Sequence, residues 1–121
     1  MSDYNTTIID IKNLQDARDE IRKIGSETAS IEIMAPKAIS KVIKLENVIL
    51  QDAIIIKQDM LSIGGEVAVP KHTFKLNKEK GEILIIGTLK QLSELVQKLN
   101  RHYSRLKKIA EEIKIVLKGV K

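Results

Sequence analysis

The sequence predicts a single α/β domain that leans toward α+β. It has a mixed four-stranded sheet with helices, in the order β-α-β-α-α-β-β-α(α). Three observations carry this. The chain has 121 residues, 43% of them apolar, enough for one core and little more. Short β-branched runs alternate with apolar stripes of helical spacing. No internal repeat, low-complexity tract or linker divides the chain, so residues 1–121 are expected to form one unit, with residues 1–5 as a disordered tail.

Thr6–Ile11 is short and β-branched and reads as a strand. Asn13 then caps a helix, with Asp16 favourably placed in its first turn. Leu14, Ala17, Ile21 and Ile24 form its apolar stripe, and Gly25 stops it. Ala29–Met34 alternates Ile31 and Ile33 with Ser30 and Glu32, so it reads as a second strand. Pro36 suits the first turn of a helix that Ile39, Val42 and Ile43 continue. Glu46–Val48 reads as a connection.

Leu50–Ile63 reads as a helix on Leu50, Ala53, Ile54, Lys57 and Leu61. Gly64-Gly65 ends it and is expected to hold a positive φ, because a helix runs straight into a strand there. Val67–Leu76 is extended, with Pro70 marking an edge or bulge. Asn77–Gly81 reads as a turn, and Glu82–Ile86 as the central strand. Thr88 and Gln91 match a capping box. Beyond it, Leu92, Leu99, Leu106, Ile113 and Val120 recur every seven residues, on one long helix or two consecutive ones. A single helix over residues 89–118 would be about 45 Å long. Its far end would overhang the domain and favour a homodimer through Ile109, Ile113, Val116 and Leu117. A bend near Arg101–Ser104 is the alternative.

Composition excludes several functions. The chain has no cysteine, hence no disulfide, zinc–thiolate site or thiol nucleophile. Its two histidines, His72 and His102, have no paired-ligand spacing, so no metal is expected. No apolar run reaches the length of a membrane span, and the polar start is not a secretory leader, which together imply a cytoplasmic protein. Before Leu89 there are 12 Lys/Arg and 13 Asp/Glu; from Leu89 onward there are 9 and 3. The basic C-terminal stretch reads as a solvated helix face. With three aromatic residues there is no stacking platform for single strands, and nucleic acid is not an expected partner. Gly64, Gly65, Gly87 and Thr88 could present backbone N–H groups to an anion. Lys57, Lys71 and His72 could add a small basic pocket. These seven are the candidate ligand residues. No catalytic residue and no cofactor are assigned.

Several strings are more specific than these motifs. They are Glu32-Ile33-Met34-Ala35-Pro36-Lys37-Ala38, Val42-Ile43-Lys44-Leu45-Glu46, Ile56 through Val69, and Ile85-Ile86-Gly87-Thr88-Leu89-Lys90-Gln91. In this order and spacing they resemble the N-terminal accessory region that precedes the barrel in some bacterial and archaeal dihydropteroate synthases. The resemblance runs from about Ile8 to Ile113. Those enzymes join a pterin pyrophosphate to p-aminobenzoate in a (β/α)₈ barrel whose catalytic loop motifs are absent here. The chain is also too short for such a barrel, which takes roughly 200 residues or more. The resemblance therefore implies a non-catalytic accessory module, acting on a barrel-type pterin enzyme subunit or on a second copy of itself. The alternative is a protein or enzyme of one-carbon metabolism that binds a pterin or a phosphate-containing ligand. Asn100–Ser104 departs from the Pro- and Gly-containing turn usual at that place.

Overall fold

The computed structural model describes residues 3–71, 73 and 79–121. The elements are α1 (Leu14–Ile24), α2 (Thr28–Met34), a 3₁₀ turn (Ala35–Lys37), β1 (Ser40–Ile49), α3 (Leu50–Ile63), β2 (Glu66–Ala68), β3 (Lys80–Thr88), α4 (Leu89–Leu99) and α5 (Ser104–Lys118). The class is the expected mixture of helix and sheet, but the described sheet has three strands rather than four. Its order is β1-β3-β2, with both outer strands antiparallel to β3. β1 and β2 are thus parallel to each other with β3 between them, a split β-α-β arrangement closed by α3.

β3 is central, as the apolar run from Glu82 to Ile86 implied. Its inward residues Ile83 and Ile85 are buried with Ile43 and Val67 from the flanking strands. α3 and α4 cover this one face, adding Ala53, Ile56, Met60, Leu92, Leu95 and Leu99 to the core. α3 has the predicted bounds, but Ile56 and Met60 face inward and Leu61 is exposed. The run Ile54-Ile55-Ile56 blurred the stripe. Gly64 sits in the left-handed region at φ 100°, the abrupt reversal expected there.

Four sequence readings are corrected. Thr6–Ile11 is irregular and pairs with no described strand. Ala29–Met34 lies in a helix: Ile31 and Ala35, one turn apart, are both buried, and Arg18 of α1 pairs with Glu32 at 2.9 Å. Six alternating residues cannot separate the two periods, and packing against α1 decides. Residues 40–49 form a strand instead of continuing a helix, because Val42, Ile43, Val48 and Ile49 are β-branched and pair with β3. Glu46–Val48 is not a connection but part of that strand, which carries a bulge between Leu45 and Val48, with Asn47 at φ 58°.

The C-terminal stripe breaks at Asn100–Tyr103. α5 folds back on α4, burying Leu106, Ala110 and Ile113 beside Leu99. The 45 Å overhang does not exist. Parts of the expected tail (Met1, Ser2), of the extended Val67–Leu76 and of the Asn77–Gly81 turn lie outside the described residues, as does His72. Lys80 and Gly81 belong to β3.

Candidate functional site

Strand alternation gives the sheet two unlike faces. The inward face is covered by helices. On the other, Val42 lies opposite Ile86, and Leu84 stands between Lys44 and Ala68. Val42 is 60% exposed, and Leu84 and Ile86 are each 38% exposed. These three apolar side chains form a contiguous uncovered patch. It is rimmed by an ion pair between Lys44 Nζ and Glu82 Oε2 at 3.0 Å, which holds Lys44 above its usual pKa. A mixed apolar and charged open sheet face of this kind suits a protein contact.

The glycine candidates do come together. A Cβ on Gly64 would lie 3.3 Å from the Gln91 amide nitrogen, and a Cβ on Gly65 or Gly87 would collide with the Met60 methyl at 2.3 or 2.4 Å. Met60 and Gln91 therefore occupy the space that the glycines leave. The helix N-terminus beside them is already bonded. Thr88 N–H donates to Gln91 Oε1 at 2.9 Å, Gln91 N–H donates to Thr88 Oγ1 at 3.1 Å, and Leu89 N–H donates to the Ile39 carbonyl at 2.9 Å. An anion there would have to displace the capping box. Lys57 is also engaged, donating to Glu66 Oε1 at 3.0 Å and to the Val67 carbonyl at 2.7 Å. The Val67 N–H and then Lys57 hold the Glu66 carboxyl below its usual range. Lys71 is exposed. Of the expected interface residues, Ile113 is buried in the chain's own core, Ile109 and Leu117 are half-buried, and Val116 is exposed.

A polar cluster that sequence reasoning missed joins α3 to α5. Asp52 is 2% exposed and accepts from Arg105 Nε at 2.8 Å and Nη2 at 3.0 Å, and from the Tyr103 hydroxyl. Burial pushes the Asp52 carboxyl up, but the bonds from Arg105 and Tyr103 and the guanidinium charge outweigh it, and its pKa is lowered. The Arg105 guanidinium also stacks over the Tyr103 ring at 4.7 Å. Next to this cluster, a groove of about 680 Å³ runs between Lys44–Ile49 of β1 and the first half of α5. The available signal was an acidic residue at the start of the largely apolar Leu50–Ile56 stretch, where it follows Gln51 and precedes Ala53-Ile54-Ile55-Ile56. Among the described residues, no group of three or more His, Asp or Glu could hold a metal ion.

The chain is 30% identical over 104 residues to the bifunctional dihydropteroate synthase/dihydropteroate reductase of Helicobacter pylori. The match takes in 86% of this chain and 27% of that protein, so the chain spans about a quarter of the relative's length. This supports a partial relation to a folate-pathway enzyme. No family model matches the chain, and no solved structure does. Among the described residues, no helix is long and apolar enough to cross a membrane.

Proposed function

We propose that this chain is a non-catalytic docking module of the dihydropteroate synthase type, which seats its open sheet face on a barrel-type enzyme of pterin or folate metabolism. The observation that carries this is the uncovered patch of Val42, Leu84 and Ile86 on an otherwise helix-covered sheet. Two further points support it. The related region is about a quarter of a longer enzyme, whose remaining length suits a barrel. The polar cluster at Asp52 is tied up in joining two helices and leaves no spare base or nucleophile. The reading implies a cytoplasmic protein, because that is where folate-pathway enzymes generally act. The test is hydrogen exchange on the chain mixed with dihydropteroate synthase from the same organism. Protection confined to β1 and β3 is expected; unchanged exchange over both strands would refute the contact.

A second reading draws on the second activity in the relative's name, dihydropteroate reductase. In that reading the chain binds a pterin or phosphate-bearing ligand where Gly64, Gly65, Gly87 and Thr88 converge. It requires Gln91 and Met60 to move aside. Titration of the chain with dihydropteroate, followed by the backbone resonances of Gly65 and Gly87, separates it from the first reading, which expects no shift.

A further inference from the structure

Among the described residues two features each lack a strand partner, and they are complementary. The first is the outer edge of β1. This ten-residue strand pairs with β3 on one side only, and no described strand lies on its other side. An open edge presents unpaired N–H and C=O groups and is a template for another strand. Here the edge is also one wall of the groove, whose opposite wall is α5. Half-buried Leu45 and Ile109 supply apolar surface inside it, and its charged lining is Lys44, Lys80, Arg105 and Lys108 against Glu46, Asp52 and Glu112, a small positive excess.

The second feature is Thr6–Ile11. Its sequence, Thr-Thr-Ile-Ile-Asp-Ile, is that of a strand, yet among the described residues it pairs with no strand. Ile8 is fully exposed and Ile9 is 56% exposed. Six extended residues span about 20 Å, the length of the six groove residues Lys44–Ile49. The segment carries Asp10 and no basic residue, so its charge opposes the small positive excess of the groove, in which Lys80 and Lys108 are the basic residues outside the Asp52–Arg105 and Lys44–Glu82 pairs.

We infer that Thr6–Ile11 of one copy adds as a strand to the open edge of β1 in a second copy, and that two copies exchange these segments reciprocally. Alternation then turns Ile9 toward Leu45 and Ile109 in the groove, and Ile8 to the opposite side of the strand, next to Lys44 rather than over the Val42 patch. The segment's own root lies away from its own groove. The Leu14 N–H donates to the Lys121 carbonyl at 2.8 Å, at the far end of α5, whereas the groove flanks Arg105–Glu112. A reciprocal exchange has two-fold symmetry and closes on itself, leaving neither edge free. This interface differs from the open sheet face proposed above for the folate enzyme, so one can fail while the other stands.

The experiment is sedimentation equilibrium of the full chain at tens of micromolar. The expected mass is twice 13.6 kDa. The double variant Ile8→Asp/Ile9→Asp should sediment at 13.6 kDa, with an unchanged circular dichroism spectrum because neither residue is in the core. Lys80→Glu/Lys108→Glu should weaken the dimer about tenfold or more, and adding Asp10→Lys should restore part of it. A wild-type mass of 13.6 kDa across that range would overturn the inference. So would a dimer that survives Ile8→Asp/Ile9→Asp, or a monomer whose residues 6–11 are protected from hydrogen exchange.

Discussion

Arg105, the second residue of α5, grips Asp52 in the first turn of α3 with two nitrogens, at 2.8 and 3.0 Å. The carboxylate is buried, and the guanidinium is half exposed. This pair fixes where α5 starts after the Asn100–Tyr103 break and so directs the fold-back that the heptad-like stripe did not determine. Asp59 and His102, 2.9 Å apart, make a second tie between α3 and the same break.

Replacing Asp52 by Ala should destabilise the domain by about 1.5–3 kcal/mol, the usual range for a hydrogen bond to a charged group. Urea denaturation at neutral pH measures it. Tyr103→Phe should cost less, because both Arg105 contacts remain.

The lowered pKa of Asp52 sets the sign of its pH dependence. Its contribution is fully present above the unfolded-state value of about 3.9 and is lost as pH falls through the lower folded value. Asp52→Asn should therefore flatten the acid limb of the stability curve and leave the neutral-to-basic limb parallel to wild type. Thermal melts between pH 2 and pH 7 test this. An acid limb of unchanged slope would count against it.

Gly65 is the position least tolerant of a side chain. An added Cβ would meet the Ile86 carbonyl oxygen at 2.9 Å as well as the Met60 methyl. The methyl can swing away, but the strand backbone cannot. Gly65→Ala should cost roughly 1–3 kcal/mol by overpacking. Gly64→Val should cost roughly 1–2 kcal/mol or more for a different reason, its φ of 100°. Equilibrium unfolding of both variants checks the pair.

The parts of this fold legible in the sequence were those with a local physical cause. Asn13 accepts from the Asp16 N–H at 2.8 Å, Thr88 and Gln91 form the capping box, and Gly25 and Gly64 are left-handed. All four were readable because a cap needs only residues three or four apart. What failed depended on distant partners. Ser40–Leu45 becomes a strand because β3 lies beside it, and Ile31 turns inward on a helix because Ala35 and α1 are there. The open face was not read from the sequence: Leu84 and Ile86 sit in an unbroken apolar run, which suits a central strand covered on both sides. Gly64, Gly65, Gly87 and Thr88 were picked out as backbone N–H groups at two chain reversals, but neither their convergence nor the Met60 side chain that fills the space between them could be read from spacing.

The isolated chain should form no dihydropteroate from pterin pyrophosphate and p-aminobenzoate. It has no barrel, and its buried carboxylate is committed to Arg105 and Tyr103. Product formation that scales with protein and survives further purification would require a different account.

The central claim is that the open sheet face is a docking surface for a folate-pathway barrel enzyme. Calorimetric titration of the chain into dihydropteroate synthase from the same organism tests it most directly. Wild type should bind with saturable one-to-one stoichiometry, and Val42→Asp/Leu84→Asp should lose at least about tenfold in affinity, since each change gives up apolar burial worth about 1.5–3 kcal/mol and places a carboxylate where binding would strip its water. No heat of binding for the wild type, or equal affinity for a folded double variant, would contradict it.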